Sequence, residues 1–171
     1  MSNSDILAGL TLCFDKELAD TDQKEIDELA SMFQDIIDNP IIIGANKLIV
    51  KRHQYSSGKK DGLPDFFSKY NEKFVHVITR KANTNKREFR PERANRIHWI
   101  RPIIELSYDK RITCFSYIES DGSIRDYFWF RSKMYIVIIE NIGTECCLIT
   151  GFCVDADNKD YYQRKYINRI K

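Results

Sequence analysis

Apolar and polar positions divide the chain into short segments of recognisable period. Over 22–38, Ile26, Leu29, Phe33, Ile36 and Ile37 recur every three or four residues. That spacing predicts an amphipathic helix with an acidic outer face. Asp22, with Glu25 three residues on, fits an N-cap with a capping box, and Asn39-Pro40 ends the segment. Residues 46–55, NKLIVKRHQY, and 73–80, KFVHVITR, read as strands, with the loop-like SSGKKDGLP between them. On the second strand His76, Ile78 and Arg80 share one face and Val75, Val77 and Thr79 the other. Residues 81–88, KANTNKRE, read as a basic loop. Residues 91–105, PERANRIHWIRPIIE, read as a helix with Pro91 at its first position, Glu92 at its positive end, and a kink or stop imposed by Pro102 near Arg101.

From 111 the period shortens to two. Strands are expected at 111–118, 124–131, 133–140 and 146–154, with turns at Ser120-Asp121-Gly122-Ser123 and Asn141-Ile142-Gly143-Thr144. A basic helix closes the chain over 158–171, capped by Asp157 or Asn158. Connections this short imply an antiparallel meander. The order predicts an α+β fold: N-terminal helix and extended region, central helix, four-stranded antiparallel sheet, C-terminal helix. One sheet face would pack on helices and the other could be solvated. The expected division is an acidic helical region, 1–45, followed by a basic α+β domain, 46–171, unless the two form one compact body.

Composition supports a folded core: 171 residues, 43% hydrophobic and 30% charged. The overall net charge of +2 hides an asymmetry. Residues 1–40 hold ten acidic and two basic residues, net −8, and the remainder hold 25 basic and 15 acidic, net +10. A basic body raises the expectation of an anionic partner, nucleic acid above all. The densest stretch, 80–101, holds Arg80, Lys81, Lys86, Arg87, Arg90, Arg93, Arg96 and Arg101 against Glu88 and Glu92. Arginine forks match phosphate oxygens. Lys86, Arg87 and Arg90 are therefore candidate RNA contacts. So are Lys165, Arg169 and Tyr162 of the closing helix, where Tyr161, Tyr162 and Tyr166 interleave with cations. The alternative is a solvated basic surface with the tyrosines partly in the core.

The five cysteines, Cys13, Cys114, Cys146, Cys147 and Cys153, form no C-x-x-C pair. They read as reduced, buried thiols of a cytoplasmic protein, with a catalytic cysteine as the alternative. The N-terminus lacks a leader pattern, and no apolar run is long enough to span a bilayer, so no membrane is expected. His98 stands out on the 91–105 helix, where Ala94, His98, Arg101 and Glu105 fall on one side. A histidine beside an arginine can move protons while the arginine holds a phosphate. It reads equally as a core-edge histidine bonded to a backbone carbonyl. His76 and His53 could join an acid–base pair. Thr150, in CCLITGFCV, shares a face with Cys146, Leu148, Phe152 and Val154, as a phosphate-directed hydroxyl or as a simple strand former. Phosphate-loop, dinucleotide-binding, serine-hydrolase and zinc-protease motifs are absent, so no cofactor and no metal site is expected.

The segments RPERANRIHWIRPIIE, RITCFSYI, DYFWFR, YIVIIE and LITGF resemble the phage-associated branch of the Barnase–EndoU–colicin–RelE-like ribonuclease superfamily. The matching positions are Arg93-Ala94, Ile97, Trp99-Ile100, Tyr127, Trp129, Tyr135, Val137, Leu148, Thr150 and Phe152, with Gly151 where that pattern has alanine. The resemblance covers roughly residues 73–171. It implies a metal-independent, toxin-like endoribonuclease that leaves 2′,3′-cyclic phosphate ends. It also implies His98 as base or acid, Arg101 and Arg80 as charge stabilisers, Thr150 bonded to the phosphate, and Lys165 or Tyr162 completing the site. RNA is then the partner, with a protein inhibitor or the acidic N-terminal helix as a restraint. The alternatives are a non-catalytic RNA- or protein-binding relative and a small interaction protein of a mobile element.

Overall fold

The computed structural model describes residues 5–50, 61–83 and 86–170. In chain order its elements are α1 (Gln23–Asp38), β1 (Ile42–Ile43), β2 (Asn46–Ile49), a 3₁₀ turn (Asp65–Lys69), α2 (Glu72–Ile78), β3 (Thr79–Lys81), β4 (Arg87–Phe89), α3 (Pro91–Ala94), a 3₁₀ turn (Ile97–Trp99), α4 (Ile100–Glu105), β5 (Ile112–Ile118), β6 (Ile124–Phe130), a 3₁₀ turn (Arg131–Lys133), β7 (Tyr135–Ile142), β8 (Glu145–Cys153) and α5 (Lys159–Ile167). The class is α+β. The chain packs as two units, Met1–Asn39 with Val50–Trp99 and Pro40–Ile49 with Ile100–Lys171. The acidic helix therefore shares a unit with residues 50–99.

In the first unit α1 buries Ile26, Leu29, Phe33 and Ile36, as its spacing predicts. The capping box does not form. The Asp22 carboxylate accepts the Ala19 N–H at 2.8 Å, and Glu25 pairs with Lys16 at 2.8 Å. Phe33 meets Phe74 at 5.7 Å between centroids.

Residues 73–80 are not a strand. Asn71 accepts the Lys73 N–H at 2.8 Å and starts α2, which buries Phe74, Val75, Val77 and Ile78 and turns His76 outward. Only Thr79–Lys81 is extended, and it pairs antiparallel with β4, so the expected loop over 81–88 carries a hairpin strand.

The expected helix over 91–105 is three pieces. Asn95, buried, leaves the helical path to hold the N-terminal segment. It accepts the Phe14 N–H at 2.6 Å and donates to the Phe14 carbonyl at 2.9 Å. Because α4 begins at Ile100, Pro102 lies in its first turn, where no helical donor is lost.

The second unit is a six-stranded sheet, β1-β2-β8-β7-β6-β5, rather than four-stranded. β5 to β8 form the expected meander, and β2 joins β8 in parallel, Leu48 opposite Cys146. Of the strand expected over 46–55, residues 46–49 are extended; His53 lies outside the described residues. Glycines at +85° (Gly122) and +60° (Gly143) make the two turns where the sequence placed them.

Neither sheet face is left open along its length. Tyr162 and Tyr166 of α5 cover Phe115, Tyr127, Trp129, Ile136, Ile138 and Phe152. α4 covers the other face, where a Cβ at Gly151 would meet Ile100 Cγ1 at 3.2 Å. A bulge at Ile149 puts Thr150 opposite Ile138 and Leu148 opposite Ile139. Thr150 and Leu148 therefore face opposite sides, not the same one.

The N-terminus of α5 is not side-chain capped by Asp157 or Asn158. Asn158 instead accepts the Asp155 N–H at 2.8 Å, and the Lys159 N–H goes to the Asp155 carbonyl at 3.0 Å. Among the described residues no helix is long and apolar enough to cross a membrane.

Candidate functional site

The nearest thing to a reaction centre lies at one end of α5. A helical turn from Tyr161 to Lys165 sets both residues on the side facing the β5–β6 hairpin. Glu119 at the end of β5 and Tyr127 in β6 meet them there. The Lys165 ammonium donates to Glu119 Oε2 at 2.7 Å and to the Tyr127 hydroxyl at 2.9 Å. Tyr127 in turn donates to Glu119 Oε1. Lys165 also lies 4.9 Å from the Tyr117 ring centroid, 5.3 Å from that of Tyr127 and 5.0 Å from that of Tyr161. The side chains of Lys165 and Glu119 are 10% and 14% exposed.

Burial works to lower the Lys165 pKa, but hydrogen bonds to Glu119, Tyr127 and Tyr161 outweigh it and raise the value. Burial, then the bond to Glu119, raises that of Tyr127. Lys165, Glu119, Tyr117 and Tyr161 line an open cleft of about 330 Å³, with Ser120, Arg164 and Asn168, while Tyr127 is buried. Arg164 is exposed, with no ion-pair partner among the described residues.

The residues singled out from the sequence divide between the units. In the first, His98 is half-buried, and its Nε2 lies 2.9 Å from the Thr11 carbonyl, which also accepts the Trp99 indole N–H at 2.9 Å. Burial lowers the His98 pKa, opposed by the Thr11 contact. This is the carbonyl-bonded, core-edge histidine. Arg80 and Lys86 project from the β3–β4 hairpin, exposed and without ion-pair partners among the described residues. Arg87 is turned inward, to the Thr79 hydroxyl at 2.6 Å and the Thr79 and His76 carbonyls at 3.2 Å. Arg90 pairs with Glu92 at 2.7 Å.

In the second unit Arg101 pairs with Glu105 at 3.0 Å on α4. The Thr150 hydroxyl is buried without a hydrogen-bond partner on the opposite, α5-covered face. The sheet therefore separates Thr150 from Arg101's helix. Tyr162 packs 5.1 Å from Phe152 as part of the core, and Arg169 stacks 4.2 Å over Tyr166 while bonding its carbonyl. Of the candidate site residues read from the sequence only Lys165 lines the cleft, together with Tyr161, one of the tyrosines that interleave with the closing helix's cations. Glu119 and Tyr117 were not singled out, and Tyr127 was named only as a position of the family resemblance. Glu119's place directly before the Ser120-Asp121-Gly122 turn was the available signal, since hairpin geometry brings strand ends to a helix terminus.

Among the described residues no group of three or more His, Cys, Asp or Glu side chains could hold a metal ion; all five cysteines are free thiols, but only Cys146 and Cys147 are buried as expected, Cys13 and Cys153 being half-buried and Cys114 exposed. No protein-family model, curated protein or solved structure matches this chain.

Proposed function

We propose that this protein is a metal-independent endoribonuclease whose reaction takes place in the α5 cleft. The observation that carries this reading is the hydrogen-bonded Lys165–Glu119–Tyr127 cluster, of which Lys165 and Glu119 line an open cleft with Tyr117, Tyr161 and Arg164. A carboxylate offers about four lone-pair positions, of which Lys165 and Tyr127 take two. Glu119 can therefore accept the proton of a substrate 2′-hydroxyl. The freed oxygen attacks the adjacent phosphorus, the bond to the 5′-oxygen breaks as that oxygen takes a proton from water, and a 2′,3′-cyclic phosphate remains. Lys165 holds a permanent positive charge where the phosphorane charge develops, and Arg164 meets the phosphate at the mouth.

In this reading the protein acts in the cytoplasm without a cofactor, as a toxin-like RNase of a phage or mobile element, and a protein inhibitor is the expected restraint. Restraint by the acidic helix is the weaker version: α1 supplies core residues to its own unit, so deleting residues 1–40 removes packing together with any cover. The raised pKa of Lys165 favours a second reading, a non-catalytic RNA- or protein-binding protein. An ammonium that holds its proton firmly is a weak general acid for the leaving oxygen.

Cleavage of tRNA and of a labelled single-stranded RNA in EDTA separates the two readings. Wild type is expected to leave cyclic-phosphate ends. Glu119→Gln is expected to lose about 100-fold or more in rate, still folded by circular dichroism though with a lower unfolding midpoint and still binding RNA, while His98→Ala retains activity. Loss in His98→Ala with retention in Glu119→Gln would move the chemistry to the first unit. No cleavage by wild type at any protein concentration would favour the second reading.

A further inference from the structure

We infer that the α5 cleft receives one unpaired nucleotide, so that the RNA it takes is single-stranded, in loops or tails, rather than duplex. This rests on the RNA reading above and adds the substrate class. Three features of the cleft carry it. The first is its walls. Tyr117 and Tyr161 line the space, each with the Lys165 ammonium about 5 Å from its ring centroid. Tyr161 is 48% exposed, so part of its ring remains open to solvent. Its neighbours on α5 cannot substitute for it: Tyr162 packs on Phe152, and Tyr166 lies edge-on to Phe115 at 5.5 Å.

The second feature is charge. Lys165 is paired with Glu119, whereas Arg164 at the rim has no such partner among the described residues, which places a flanking phosphate of the strand at the rim and the nucleotide to be cut inside, over Lys165 and Glu119. The third is the polar edge. Asn168 gives its amide N–H to the Arg164 carbonyl at 2.9 Å, leaving its side-chain oxygen to accept, and the Ser120 hydroxyl lies on the same cleft. Those are groups for a base edge. A base inside an A-form duplex has both faces covered by its neighbours and its pairing edge occupied, and the deep groove does not admit side chains. Only a base out of the stack can lie on Tyr161 with its edge toward Asn168.

The test is a binding titration of the intact protein, in EDTA, against a dye-labelled RNA of about twelve nucleotides, within the usual site size for single strands. The strand is 2′-O-methylated, so that binding is read without turnover, and is compared with its blunt duplex. The single strand is expected to bind about tenfold more tightly, Tyr161→Ala to lose about tenfold of that affinity, and Tyr161→Phe to keep it. Duplex binding equal to or tighter than single-strand binding, or single-strand affinity untouched by Tyr161→Ala, would overturn the substrate class and leave the RNA reading standing. Failure of wild type to bind either form would overturn the RNA reading itself.

Discussion

A lysine with only a tenth of its side chain in solvent needs an anion beside it, and Lys165 has Glu119. Removing one member of such a pair leaves the other charge buried and unmatched. Lys165→Met is accordingly expected to cost about 3 kcal/mol in urea unfolding, and Lys165→Met with Glu119→Leu to recover part of it. The pH dependence has a definite sign. Lys165 and Tyr127 both have raised pKa values in the fold, so the folded chain keeps protons that the unfolded chain releases near pH 10. Their contribution is complete below that pH and declines as pH rises further. The wild-type urea midpoint should therefore fall as pH rises above about 10, and the fall should be shallower in Lys165→Met. An equal slope in the two proteins would show that Lys165 is not coupled to folding. Gly151 is the other residue whose identity the structure explains. A Cβ there would sit 2.6 Å from the Tyr135 hydroxyl, which accounts for glycine where the resembled pattern has alanine.

At the scale of elements, what could be read from the sequence was local. β5 to β8 were legible because period-two alternation and glycine turns are written within a few residues of each other. The parallel seam of β2 on β8 joins residues about a hundred positions apart, and nothing in either segment announces its partner. The segment 73–80 misled because Phe74, Val75, Val77 and Ile78 are β-formers. Their spacing nevertheless fits a helix, with His76 exposed between the two buried pairs, and Asn71 was an available cap. Asn71→Ala should cost about 1 kcal/mol of stability, as loss of an N-cap does, read from the thermal or urea midpoint. No change would mean that packing alone selects α2. The split of 91–105 was hidden for a different reason: Asn95 serves a strap 80 residues earlier, and only the fold supplies that contact. The α5 cleft was half legible. Lys165 stood out as a cation among tyrosines, but its carboxylate comes from the end of β5.

For the whole molecule, the acidic front and basic body of the sequence do not survive as two blocks. The acidic helix and most of the 80–101 basic stretch fall in the same unit, and much of that stretch is spent internally. Arg87 and Arg93 both bond the Thr79 carbonyl, at 3.2 and 3.0 Å, Arg90 pairs with Glu92, and Arg96 bonds the Glu92 carbonyl at 2.6 Å. Counting charges from sequence therefore overstates what faces a phosphate chain. The cations that remain exposed there without an ion-pair partner among the described residues are Arg80, Lys81 and Lys86, at the β3–β4 hairpin. If RNA runs over this hairpin, each phosphate it neutralises releases counterions, and the slope of log affinity against log salt falls by about 0.7 per contact removed for a single strand. Replacing all three with glutamine should flatten that slope by about two, weaken RNA binding at low salt, and leave the unfolding midpoint in place. The same substitution at Arg87 should instead destabilise the fold, because its guanidinium ties β4 back to Thr79. A slope unchanged by the triple substitution would remove the hairpin from the interface and leave the α5 cleft to bind RNA alone.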